Sequence, residues 1–121
     1  MALSIKPYIE NKERIHLIGI GGVSMNSLGE LLLSRGVPIS GSDRLRTDVT
    51  ARLEALGAKI TYEHKPENVE GASLIVRTAA VHDDNPEIVR AHELGIPVME
   101  RAEAWGHLMR DYDNVVCLAG T

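Results

Sequence analysis

One segment limits what this chain can become more than any other. The apolar run Arg14-Ile15-His16-Leu17-Ile18 stops at Gly19, and the loop Gly19-Ile20-Gly21-Gly22-Val23-Ser24 follows. From Val23 onward apolar residues recur at Met25, Leu28, Leu31, Leu32 and Leu33, which is helical spacing. A short strand, a glycine loop and a helix in that order are expected. The loop holds two glycines of the G-x-G-x-x-G spacing, with Ser24 at the third position. Glycine allows a tight turn and close backbone approach. A helix that starts just after offers free N–H groups and partial positive charge to a phosphate. A tight turn without a ligand is the other reading.

The rest of the chain repeats the alternation. Strands are expected at Val37 to Ser40, ended by Gly41-Ser42-Asp43, and at Ala58 to Tyr62, Leu74 to Val76, Pro97 to Met99 and Val115 to Ala119. Gly36 stands where the first long helix should stop. Thr47 can cap a second helix carrying Val49, Leu53 and Leu56, with Gly57 closing it. Asn85-Pro86 is a cap and first-turn pair for a helix through Ile88, Val89 and Leu94 that ends at Gly95. Ala102 to Met109 reads as a further helix, and Glu63 to Gly71 as a polar connection with room for one helical turn. Strands alternating with helices imply right-handed crossovers and a mostly parallel sheet covered on both faces. Such a sheet binds ligands beyond the carboxyl ends of its strands. Four loops then face the functional zone: 19–24, 41–44, 78–85 and 120–121.

Asp43 follows Gly21 by twenty-two residues and closes the second strand. In dinucleotide-binding folds an acid about 20 residues on bonds the ribose hydroxyls; as an alternative it is a turn residue or local cap. Loop and acid together favour a ligand containing ribose and diphosphate. Charge is compatible: residues 1–60 carry +2 and residues 61–121 carry −6, for a net −4. That acidity, with aromatics at only 3%, argues against a general nucleic-acid binder. The single cysteine, Cys117, excludes an internal disulfide framework and reads as a buried thiol. The five histidines show no metal-ligand spacing, so no metal is expected, and His82-Asp83-Asp84 reads as a solvated loop. No apolar stretch reaches the roughly 18 residues of a membrane span, and residues 1–14 lack the apolar centre of a signal peptide. A cytoplasmic location is expected.

The stretch His16-Leu17-Ile18-Gly19-Ile20-Gly21-Gly22-Val23-Ser24-Met25 resembles the opening of the Mur ligase family, which usually carries glycine where Ser24 stands. Ser40-Gly41-Ser42-Asp43, Leu56-Gly57-Ala58, Asp84-Asn85-Pro86-Glu87, Ile96-Pro97-Val98 and Arg101-Ala102-Glu103 agree in order and spacing. Val116 to Thr121 resembles the strand leading into that family's ATP phosphate loop, so Gly120 and Thr121 would begin that loop. The resemblance implies an α/β fold, a Rossmann-like mostly parallel sheet of five to six strands with helices on both faces. It implies that residues 1–121 are one UDP-sugar-binding domain, without the family's ATP-binding and amino-acid-binding domains.

By the same resemblance the parent enzyme adds L-alanine to UDP-N-acetylmuramate in peptidoglycan precursor synthesis, using ATP and Mg²⁺ through an acyl phosphate. These 121 residues would hold the sugar nucleotide and have no activity, catalytic residue or cofactor of their own. Gly19 belongs to the binding loop, and the amides of Gly21, Gly22, Val23 and Ser24 would meet the diphosphate. Ser42 and Asp43 would meet the uridine, and His64 resembles a family histidine near the nucleotide. Thr78, Ala79 and Ala80 face the same crevice. Asn85 fits a helix cap better than a ligand contact, and Arg101 suits a phosphate, a carboxylate or a surface ion pair. A stand-alone NAD-binding regulatory domain of the potassium-uptake type also fits the glycine loop and Asp43. A ligase that recycles a muropeptide onto the same sugar nucleotide shares the domain plan.

Overall fold

In the computed structural model, residues 5–78 and 81–106 are described. They contain α1 (Lys6–Glu10), β1 (Ile15–Ile18), α2 (Val23–Ser34), β2 (Ile39–Ser42), α3 (Asp48–Ala55), β3 (Lys59–Thr61), a 3₁₀ turn (Pro66–Val69), β4 (Leu74–Arg77), α4 (Pro86–Leu94) and β5 (Val98–Glu100). Residues 101–106 are helical. The expected sixth strand, Val115 to Ala119, lies outside the described residues, as does Cys117.

The five strands are all parallel, in the order β3-β2-β1-β4-β5. The chain winds outward from β1 through β2 to β3, then returns to the other side of β1 for β4 and β5. Right-handed crossovers in opposite directions put their helices on opposite faces. One face carries Ile15, Leu17, Ile39, Leu74, Val76 and Met99 from the strands, packed against Leu28 and Leu32 of α2 and Leu53 of α3. The other carries Ile18 and Ile75 against Val69, Ile88 and Ala91. Every residue of β1 is buried, as a strand covered on both sides requires.

Local signals set most boundaries. The Thr47 hydroxyl accepts from Thr50 N–H and the Thr50 hydroxyl accepts from Thr47 N–H, closing both ends of a capping box. Asn85 Oδ1 accepts from Glu87 N–H at 2.9 Å and starts α4. Gly36 and Gly95 take left-handed conformations after α2 and α4.

Two features differ from the sequence expectation. Residues 41 and 42 do not end β2; they belong to it, paired with Leu17 and Ile18. Gly41 is there because a Cβ would sit 2.6 Å from Ile20 Cδ1 and 2.9 Å from Leu17 O. The glycine answers a packing contact across the sheet, not a turn. The second is α1, which had no counterpart in the sequence reading. Ile5 at its start is fully buried, with Tyr8 and Ile9 packed on the same core. Five residues are too few for a hydrophobic period to show.

Candidate functional site

The glycine loop is hooked to the end of β2. Gly19 and Ile20 N–H both donate to Ser42 O, at 2.8 and 3.0 Å, and Gly22 N–H closes back on Gly19 O at 2.9 Å. Gly19 has φ of +77°, a conformation that favours glycine. Gly21 comes so close to Asp43 that a Cβ would lie 2.8 Å from its Oδ2. Its N–H donates to that oxygen at 2.9 Å, while Arg44 and Leu45 N–H donate to Oδ1. Asp43 thus ties the loop to the β2 end through the Gly21 amide and holds its own turn through those of Arg44 and Leu45. The loop and the acid, both expected to face a ligand, meet each other. The Gly21 amide serves Asp43 and the Gly22 amide serves the turn, which leaves neither as a free donor. Val23 and Ser24 open α2, which has Gly22 as its N-cap and no side-chain cap.

A cleft of about 820 Å³ opens beyond the carboxyl ends of the strands. Ile18 and Gly19 come to it from β1, Asp43, Arg44 and Leu45 from β2, and His64 from the segment after β3. Thr78 follows β4, and Val81, His82, Asp84, Asn85 and Pro86 complete the far wall. The walls therefore come from both sides of the β1–β4 boundary, where the winding direction reverses. Gly19, Asp43, His64, Thr78 and Asn85 are brought together there. Arg101 lies in the helical stretch after β5, outside these walls. Ala79, Ala80, Gly120 and Thr121 lie outside the described residues. Arg77 braces the far wall, through Asp83 Oδ1 at 2.5 Å and the Val81 carbonyl. The guanidinium beside Asp83 holds that exposed carboxyl below the usual range.

Ser42 must be corrected. It was expected on the uridine, but it is fully buried, and its hydroxyl donates to Glu87 Oε2 at 2.7 Å. The reason is the register: Ser42 pairs with Ile18 on the covered face of the sheet. Glu87, in the first turn of α4, is also fully buried. His16 Nε2 stands 2.5 Å from its Oε1, and His64 Nδ1 stands 2.5 Å from its Oε2. Beyond His16 the chain continues, with Nδ1 at 2.9 Å from Ser40 Oγ, which accepts from Arg14 Nε at 3.0 Å. Burial pushes the Glu87 carboxyl up, but hydrogen bonds from His16, His64 and Ser42 hold it below its ordinary value. It is an ionised carboxylate in a dry place.

Glu87 and His16 were not singled out from sequence. A signal existed: His16 is the one polar residue in an otherwise apolar strand, and a buried polar side chain needs a partner. Among the described residues no group of three or more His, Cys, Asp or Glu side chains could hold a metal ion, and no helix is long and apolar enough to cross a membrane.

Comparison with known proteins now adds to the geometry. A UDP-N-acetylmuramate–L-alanine ligase from Alkaliphilus metalliredigens is 48% identical over 109 residues, covering 90% of this chain and 24% of its own length. One from Caldanaerobacter subterraneus is 49% identical over 113 residues, covering 93% of this chain and 25% of its own. The crystal structure of the UDP-N-acetylmuramate–alanine ligase from Thermotoga maritima matches with a TM-score of 0.73 and 37% identity, over 84% of this chain and 23% of that one. The chain spans about a quarter of the length of these relatives. The sequence profile described as "Mur ligase family, catalytic domain" matches residues 14–113, a span that takes in the glycine loop, the cleft and the Glu87 network. The chain belongs to the Mur ligase family.

Proposed function

We propose that this chain is the sugar-nucleotide-binding unit of a UDP-N-acetylmuramate–L-alanine ligase. Its cleft would hold UDP-N-acetylmuramate while L-alanine is added at the expense of ATP. The observation that carries the reading is near-half identity, over nine tenths of the chain, to proteins of that name. The cleft volume of about 820 Å³ falls in the range of small-molecule sites, roughly 300–1,000 Å³. The start of α2, uncapped by any side chain, is the natural place for the diphosphate, with the amides of Val23 and Ser24 nearest the helix end. Arg44 and Leu45 stand exposed at the mouth, and His64 and Thr78 on the walls, around the space left for the nucleoside.

In this reading the chain contributes binding, not chemistry. Energy gained at the nucleotide end fixes the position of a carboxylate that reacts elsewhere, converting a bimolecular encounter into an oriented one. ATP and the amino acid belong to the parts of such a ligase outside the matched quarter.

Calorimetric titration of the 121-residue chain with UDP-N-acetylmuramate, UDP and NAD in parallel is the test. The expected result is binding of UDP-N-acetylmuramate, weaker binding of UDP and no heat with NAD. Binding of NAD alone would replace this reading with that of a regulatory dinucleotide sensor. Silence with both uridine nucleotides would refute it for this chain. Incubation with ATP and L-alanine should yield no ADP.

A further inference from the structure

The hydrogen-bond chain behind the cleft has only one consistent direction. An ionised carboxylate only accepts. Ser42 O–H, His64 Nδ1–H and His16 Nε2–H must therefore all donate to Glu87. A neutral His16 that donates from Nε2 accepts at Nδ1, so Ser40 O–H points to it. The Ser40 oxygen in turn accepts from Arg14 Nε. Arg14 is anchored by its other nitrogens on the carbonyls of Glu70 and Asn68. Every proton from Arg14 to Glu87 is thereby assigned, and only His64 meets the cleft. Its side chain is 19% exposed, against 0% for Glu87, and it forms part of the cleft wall.

We infer that Glu87 is a positioning residue: it fixes His64 as the Nδ1–H tautomer and turns the bare Nε2 into the cleft as a hydrogen-bond acceptor. The complementary ligand group is an N–H or O–H donor. On a uridine nucleotide that is the base imide or a ribose hydroxyl, and this part rests on the function proposed above. The tautomer does not rest on it.

The same logic dictates the outcome of Glu87→Gln. Turning His16 over would take the Nδ1 acceptor away from the buried Ser40 hydroxyl, so His16 keeps its proton on Nε2. The Gln carbonyl must then face His16, and its NH₂ must face His64. His64 can meet that NH₂ only by accepting at Nδ1, which moves its proton to Nε2. The variant would present a donor to the cleft where the wild type presents an acceptor.

Two-bond ¹H–¹⁵N correlation spectra of the imidazoles at pH 8 read this directly on the whole chain, with His64→Gln supplying the assignment. The wild type should show His64 protonated on Nδ1 alone, and Glu87→Gln should show it protonated on Nε2. The UDP affinity of Glu87→Gln should fall at least tenfold. His64→Gln, at the exposed end of the network, should lose a comparable factor even if the Glu87 variant does not fold. Removing the 2′-hydroxyl (2′-deoxy-UDP) or the imide proton (N3-methyl-UDP) tells which donor is met. A wild-type His64 protonated on Nε2 or on both nitrogens overturns the inference. So does an unchanged tautomer, or unchanged UDP affinity, in a folded Glu87→Gln. If no uridine nucleotide binds the wild type, the proposed function fails while the spectra still decide the role of Glu87.

Discussion

The two faces of the sheet are built on different physics. Toward α2 and α3 the strands present Ile15, Leu17, Ile39, Leu74 and Val76, and among the described residues the buried polar side chain on that side is Thr50, satisfied within the α3 capping box. Toward α4 the apolar cluster of Ile18, Ile75, Ile88 and Ala91 shares the space with His16, Ser40, Ser42 and Glu87. The first face gains stability from area removed from water, which is non-directional and tolerates rearrangement. The second depends on every donor finding its acceptor in a medium where an unpaired group is expensive. The cleft lies at the edge of the second face, where precise side-chain orientation is of use. The apolar face holds the sheet together, and the polar one fixes what the loops present.

That contrast predicts that small changes hurt more on the polar face. His16→Ala leaves Glu87 without one of its donors and Ser40 without its acceptor. Leaving a buried carboxylate short of a hydrogen-bond donor, together with the side-chain volume lost, costs about 4 kcal/mol. Urea unfolding should show a loss of that order, and a loss below about 1 kcal/mol would mean water reaches Glu87. Adding Glu87→Leu to His16→Leu removes the buried charge but strands the Ser42 hydroxyl, so it should recover only part of the loss.

Leu17→Ala makes the opposite probe. Leu17 is fully buried on the apolar face, so the change removes side-chain volume and strands no polar atom. The expected loss is about 3 kcal/mol. A loss exceeding that of His16→Ala would reverse the comparison. Gly41→Ala tests crowding on the same face. The new Cβ would approach Ile20 Cβ to 2.7 Å as well as the Leu17 carbonyl, so backbone must move. Overpacking of this kind costs about 2 kcal/mol. An unchanged unfolding midpoint would show that Ile20 can swing away, and would remove the packing reason for glycine inside β2.

What could be read from sequence follows the same division. The Thr47 cap, the Asn85-Pro86 start and the glycines after α2 and α4 act through neighbours a few residues away, so they were visible without a structure. The strand runs were visible because a sheet covered on both faces needs continuous apolar residues. The location of the cleft followed from topology. What was hidden is what depends on distant contacts. Gly41 looked like a break because its reason is Ile20. Ser42 looked available because its partner, Glu87, is 45 residues away. The acid meets His16 across 71 residues. Asp43 was read as a partner for a ribose, but the group it holds here is an amide of the glycine loop.

The smallest expected effect is a pH dependence confined to the polar face. Glu87 is held below its ordinary value in the folded chain, where burial, acting to raise it, is outweighed by His16, His64 and Ser42. A depressed carboxylate stabilises the fold at any pH above its unfolded value, about 4.3 for glutamate. That contribution fades as pH falls from there through the lower native value. Among the described residues the apolar face buries no titratable side chain. Unfolding free energies of the wild type and of Glu87→Gln, measured from pH 6 down to pH 3, isolate it, because every other acid is common to both. The two curves should run parallel above about pH 5. Below that the wild type should fall more steeply, and the gap between the curves should close or invert. Parallel curves across the whole range would mean that Glu87 gives up its proton no more readily in the fold than outside it. The donors around it would then serve only to offset its burial, and the two faces would differ in geometry alone.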